Sequence, residues 1–600
     1  MNHLSTTALG GLLLLSPLSM AMAAEKSIFQ LSEMNLVANL VEQKNADTLA
    51  AVTVIDREEI ERKQFNSLQD LLRSLPSISY TNAGGVGQTT GISIRGTGSS
   101  AVLVMVDGQK LGSATTGQTA FEHLPIEQIE RVEVVRGPRS SLYGSEAVGG
   151  VIQIYTRKAS QEGIKPYAAF TYGSHQTYKA NAGVNLREQD TWANLNVAGV
   201  KTQGLDVLTS ASETDRDAYQ NASISVQAGK QLNDTIAVEV NALHIRGEAE
   251  YDGGIDPENE VEQNVYGLGL HFSPNAMWNS KLKLGITEDY YQTFEGQKSN
   301  GVFETQKQSL SWFNSIRLND NHSIVAGIDY LNDEVTSSTD YDEKERDNIG
   351  IYAQYLAQFG RLSLQTALRS DDNQQFGQHT TGNAALGYHF KDTHSAYLSY
   401  GTAFRSPTFN DLYYPGWSNP HLVPEQSKNI EIGVKGHQTI DWEVIGFINE
   451  IDHLIANQNN GQAKIKGIEV SMGQNLAAWS WNMNYTYQDP QNSELKGKRL
   501  TYKAAQLFNA NVDYNFDKWS IGGSLHAEDQ RYTNATNTTA LAGFALADVR
   551  VAYQVSPELM LQAKLANILD KTYYTNNAWT GDLYRQEGRT AWLTLRYAMK

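Results

Sequence analysis

Asp206 in QGLDV, Asp215 and Asp217 in ETDRDAY, and Tyr251–Asp252 in EAEYDGG gather hard oxygen donors into one polar part of the chain, with Glu213 and Asp256 nearby. Calcium takes about six to eight oxygen ligands, and grouped carboxylates are a natural source of them. Acidic loop residues are equally at home in water, so their spacing leaves both readings open. Other chemistry finds no support. There is no G-x-S-x-G elbow and no Walker A sequence, and Gly96-Thr97-Gly98 is a fragment of a nucleotide fingerprint that a strand turn explains as well. The 13 histidines lack the spacing of a metal site. Nothing in the sequence points to an enzyme.

The elements that position these donors are legible from periodicity. From about Lys165 onward the pattern has period two. Tyr178, Ala180, Ala182, Val184 and Leu186 alternate with Lys179, Asn181, Gly183 and Asn185, and Ala193, Leu195 and Val197 alternate with Asn194 and Asn196. The pattern recurs at Leu282–Ile286, Trp481–Tyr487, Trp519–Ile521 and Leu593–Tyr597, between segments rich in Asn, Asp, Gly and Ser. One face is apolar with aromatics near strand ends, and the other is polar, which suits a wet interior inside a lipid-facing wall. Roughly 435 residues at about 20 per strand give about 22 strands, the size of a plugged barrel.

Before that wall lies a different unit. Leu68, Leu71, Leu72 and Leu75 recur at helical spacing and stop at Pro76. Ile92 and Ile94 alternate with polar residues, Val102–Val106 runs into the turn pair Asp107-Gly108, and Val132–Val135 and Val151–Ile154 read as strands. Val52 to Ile55 is another predicted strand. This is an α+β unit of about a hundred residues. At the start, Leu12 to Leu15 and Ala21-Met22-Ala23 read as a signal peptide over 1–23, although its first residues carry no Lys or Arg. The net charge of −18 argues against nucleic acid as a partner. The count of 0 cysteines fits an exported chain that owes nothing to disulfides.

SLQDLLRSLPSI, ISIRG, VLVMVDG, IERVEVVRGPRSSLYGSEAVGG and VIQIYT follow one another in an order that resembles the plug domain of TonB-dependent outer-membrane receptors. Within that family the chain is most similar to transporters of vitamin B12. The resemblance implies an all-β transmembrane barrel of about 22 antiparallel strands (161–600) with an α+β plug (46–160) inside its lumen, preceded by an N-terminal segment (24–45). It also implies a monomer in the bacterial outer membrane, surrounded by lipid and importing cobalamin. Glu33, Met34, Asn35, Leu36 and Val37 stand where the family carries its TonB box, an extended segment that pairs with TonB by strand addition; Met34 departs from the usual Thr. Asp206, Asp215, Asp217, Tyr251 and Asp252 align with paired calcium sites that order loops over the substrate. Plug loops 82–90 and 110–121 are implied as the substrate surface through Gly85, Gly87, Gln88, Leu111, Ser113 and Thr115, joined by Tyr502 and Lys503. FRSP at 404–407 and NPHL at 419–422 resemble boxes of haem receptors, but residues 408–418 contain no histidine, so they read as general barrel sequence. A siderophore or other metal-chelate receptor is the alternative within the family, and a passive porin the alternative outside it.

Overall fold

In the computed structural model, which describes residues 34–208, 215–252, 257–416, 418–456 and 459–599, the period-two sequence closes into an antiparallel barrel of 22 strands from Gly163–Gly173 to Thr590–Ala598. The last strand pairs with the first, Ala598 opposite Tyr167, so the sheet has no free edge. The faces follow the alternation: Leu195 and Val197 are 44% and 45% exposed on the outside, whereas Asn194 and Asn196 are at most 1% exposed inside. At one end the connections are short, as at 189–190 and 234–235; at the other they are long, as at 406–424 and 529–543. The chain's end keeps the parity: Leu593, Leu595, Tyr597 and Met599 all face outward. No helix among the described residues is long and apolar enough to cross a membrane, and the crossing is made by strands.

The α+β unit fills the lumen. Its sheet has the order Ala51–Asp56, Ile129–Arg136, Gly150–Thr156, Val102–Val106, Gln109–Leu111, with one parallel pair between the third and fourth. Asp107 and Gly108 both adopt positive φ (51° and 88°), as a two-residue hairpin turn requires. Helices Arg57–Lys63 and Leu68–Arg73 are capped by Asp56 and Ser67. The second buries Leu68, Leu71 and Leu72 against Ile78, Ile94, Val134 and Ile152.

Charge fixes this unit to the wall. Glu469, on a barrel strand, receives Arg95 Nε at 2.6 Å, Arg136 Nε at 3.0 Å and Ser77 Oγ at 2.5 Å. Arg95 also reaches Glu431 at 2.5 Å, and Tyr397 donates to the same carboxylate. Arg95 lies 4.4 Å from the Phe447 ring centroid. Every ionic member is buried, so each charge depends on the others for the solvation that water would supply. A second set binds helix Arg57–Lys63 to the closing strands: Arg62 and Arg550 share Asp513, and Arg596 pairs with Glu61.

The segment expected to be extended is folded up instead. Met34–Asn35 pairs with Gln43–Lys44, and Leu40 N returns to Leu36 O in a turn. The buried Glu133 carboxylate accepts Leu36 N at 2.9 Å and Val37 N at 2.8 Å, and Tyr143 donates to Val37 O. Val37 packs among plug and wall residues including Leu142 and Val325. Backbone groups that would pair with a partner strand are thus already satisfied. Glu33 and the expected signal peptide lie outside the described residues.

Glu469→Ala should lower the opening free energy of strand Ile129–Arg136 by about 3–5 kcal/mol, because it strands buried guanidiniums; amide hydrogen exchange measures this, and unchanged protection would refute it. Glu133→Ala should free the N-terminal turn. In a Leu36→Cys background, otherwise free of thiols, maleimide labelling should then accelerate by about tenfold or more, the factor of roughly 1.4 kcal/mol lost with the backbone bonds; an unchanged rate would mean that Glu133 does not hold the segment.

Candidate functional site

At the long-loop end two plug loops rise between the barrel loops. In the first, Asn82 organises the turn: its Nδ2 donates to Gly85 O, Gln88 O and Thr90 Oγ1, and its Oδ1 accepts Gly84 N at 2.8 Å. Gly87 has a positive φ of 82° and lies against the Tyr219 ring, so a Cβ there would collide with it. Gln88 is buried and donates to Glu250 O at 2.6 Å, which ties the turn to the wall.

The second loop is closed by Gly117 N to Ser113 O at 2.8 Å and by the Ser113–Thr115 hydroxyl pair at 2.7 Å. Helix Phe409–Tyr413 sits on it, with Phe409 N bonded to Ala114 O and Asn410 N to Thr115 O. Between the boxes at 404–407 and 419–422, residues 408–413 therefore form a capped loop helix. The spacing of Thr408 and Asp411, which form a capping box, was the available signal.

Several expected substrate residues take other roles. Leu111 belongs to the plug core, because the strand that carries it turns its side chain into the sheet's apolar layer. Gln88 and Thr115 are buried and committed to holding their loops. The exposed apex side chains are Thr89, Thr116 and Gln118, adjacent to the residues singled out from sequence. Gly85 and Ser113 remain partly accessible. Tyr502 joins three loops, its N bonded to Tyr532 O and its OH to Asn577 Oδ1, both at 2.7 Å. Lys503 beside it is half-buried, and burial with the neighbouring Arg531 pushes its ammonium down to about 7.

The loop that carries Asp206 lies directly over the first plug loop. Val207 and Leu205 face Gly84 and Gly85, leaving no room for a Cβ on either glycine. Asp217 Oδ2 accepts Val207 N at 3.0 Å and Asp252 Oδ2 accepts Leu208 N at 2.5 Å, so loops 203–208, 215–218 and 251–252 are joined through carboxylates. Burial pushes the Asp217 carboxyl up to about 7, assisted by the charges of Asp252, Asp215 and Asp206. Asp206 Oδ1 is buried without a hydrogen-bond partner among the described residues. Among the described residues no three of these groups form an assembled metal centre; Tyr251 is half-buried beside Asp252, and Glu213 and Asp256 lie outside the described residues. Converging carboxylates, an unpartnered buried oxygen and a raised pKa are what an oxygen-ligated cation would relieve.

The chain matches two family models, "TonB-dependent Receptor Plug Domain" over residues 44–151 and "TonB dependent receptor-like, beta-barrel" over residues 165–568. It is 30% identical to a protein of Photobacterium profundum named Vitamin B12 transporter BtuB, over 94% of this chain and 95% of that one. It is 31% identical to the protein of the same name in Vibrio cholerae, over 91% and 92%. Solved structures with the same fold include the siderophore receptor PiuA of Acinetobacter baumannii (TM-score 0.80, 16% identity, 93% of this chain and 98% of that one). The ferric enterobactin receptor PfeA of Pseudomonas aeruginosa is similar too (TM-score 0.79, 18% identity, 91% and 98%). Plug, closed barrel and these matches together make the chain a member of the TonB-dependent receptor family, an outer-membrane transport receptor and not an enzyme.

Proposed function

We propose that the transported ligand is vitamin B12, captured between the plug apex and the extracellular loops, and that calcium orders those loops. The observation that carries this reading is the placement of Asp206 in the loop that rests on Gly84 and Gly85, joined to its neighbours by the carboxylates of Asp217 and Asp252, with the charge of Asp215 acting on Asp217. A cation held there would neutralise the like charges and join the loops to the surface that meets the ligand. The relatives named as vitamin B12 transporters, matched over more than nine-tenths of both chains, support the choice of ligand. Thr89, Thr116 and Gln118 would meet the ligand through hydroxyls and an amide, Gly85 and Ser113 through close approach, and Lys503 as a nearby cation. Residues 33–37 would engage TonB once released from Glu133, and the pull would draw on the plug strand that carries Arg136.

Purified protein titrated with cyanocobalamin should bind it tightly with millimolar calcium and at least about tenfold more weakly with chelator, a coupling of roughly 1.4 kcal/mol. Tight binding indifferent to calcium would sink the metal site alone, and no binding in either condition would move the function to another chelate. Calcium affinity itself should fall as pH drops below about 7. There the proton and the metal compete for Asp217, whose raised pKa predicts a loss of about tenfold per pH unit. Without metal the sign reverses: this loop contributes most stability below the unfolded carboxyl pKa near 4 and loses it as pH rises through about 7. Deleting residues 25–40 should abolish uptake while binding survives, whereas a passive pore would be indifferent.

A further inference from the structure

Among the described residues the outer wall has a recess of about 400 Å³ on its first five strands. Strand register resolves it into rows of outward-facing residues. Nearest the loops, Tyr172, Tyr178, Lys201, Gln220 and Glu248 stand side by side across the strands, the carboxylate at the far end from the tyrosines and beside Arg246. The next row is Phe170, Ala180, Gly199, Ala222 and Arg246, and the one below is Ala168, Ala182, Val197 and Ile224. Three consecutive small residues in the middle row make the floor, where the wall otherwise carries large apolar side chains.

The depth of the recess is fixed by its neighbours. Tyr172 and Tyr178 have ring centroids 5.1 Å apart, a polar-tipped aromatic pair of the kind that sits at the headgroup level. Val197 and Ile224 below belong to the hydrocarbon zone. The recess therefore straddles the boundary between headgroups and chains in the outer leaflet, continuous with the lipid-facing surface. Lys201 is exposed on its upper edge with no carboxylate at ion-pair distance among the described residues. Arg246 marks the far edge, two strands away, and is held by Glu248 and Glu260 at 3.8 and 3.6 Å.

We infer that this recess is a lipid site that takes one acyl chain on the Ala180–Gly199–Ala222 floor and the phosphate of an anionic outer-leaflet lipid at Lys201. An apolar slot excludes a free ion, and a free ammonium at headgroup depth selects a phosphate over a neutral head. Phe170 and Tyr178 would flank the chain.

The test is native mass spectrometry of the detergent-purified full chain with dimyristoyl phosphatidylglycerol and with dimyristoyl phosphatidylcholine. The parent should carry one phosphatidylglycerol adduct in about tenfold preference. Lys201→Ala should keep the adduct but lose the preference, and Ala222→Leu, which fills the slot from a lipid-facing position, should lose both adducts. Heat-modifiable gel mobility verifies that each variant is folded. Equal occupancy by both lipids in the parent, or adducts in folded Ala222→Leu and Lys201→Ala that match the parent, would overturn the assignment.

Discussion

Glu469 holds two plug arginines in a lumen where none of the three reaches water, and the rest of the molecule depends on that arrangement. A barrel of this width cannot fill itself with its own side chains, so the plug is what makes it a barrier. Plug and wall touch mainly through polar groups, because alternation turns Asn, Gln, Ser and charged residues inward. An apolar interface would be hard to part. A buried ionic one is specific and expensive to break singly, yet every member can be rehydrated when water enters the lumen. Strand Ala51–Asp56 lies beside strand Ile129–Arg136, and Thr53 accepts from Arg136. The N-terminal end is therefore one strand removed from the ionic lock.

The same logic links the two ends of the molecule. Outside, loop 203–208 rests on the Asn82–Thr90 turn; inside, that turn is the outer end of the hairpin Ile78–Asn82/Thr90–Ile94, whose base carries Ser77 and Arg95. Occupancy at the apex and the state of the lock act on one short hairpin. On the other side of the sheet, Glu133 clamps the N-terminal turn from a strand whose end holds Arg136. Ligand, lock and partner segment are thus three loads on the same few strands.

Much of this was legible in the sequence, and for definable reasons. Period-two alternation gave the wall and its faces, since a one-residue slip would expose Asn194 and Asn196 to lipid. Asp107-Gly108 and the leucines before Pro76 placed plug elements because turn and helix rules are local. What stayed hidden depended on partners distant in the chain. Nothing about Leu111 distinguishes an apex residue from a core residue until its strand is paired. Glu133 reads as an ordinary strand acid until Leu36 and Val37 arrive above it. The acidic loop was visible as composition, but its contact with Gly84 and Gly85 belongs to the fold alone.

If import parts the plug from the wall at the lock, a covalent bridge placed there should stop it. Ser77 N lies 2.9 Å from Thr486 Oγ1 and the two hydroxyl oxygens are 3.2 Å apart, so cysteines at both positions would bridge plug and barrel in a chain with 0 native cysteines. Uptake of radiolabelled cyanocobalamin by cells carrying Ser77→Cys with Thr486→Cys is the direct measurement. Binding should persist, uptake should stop in the oxidised protein and return on reduction. Uptake at the parental rate with the bridge intact would contradict the account.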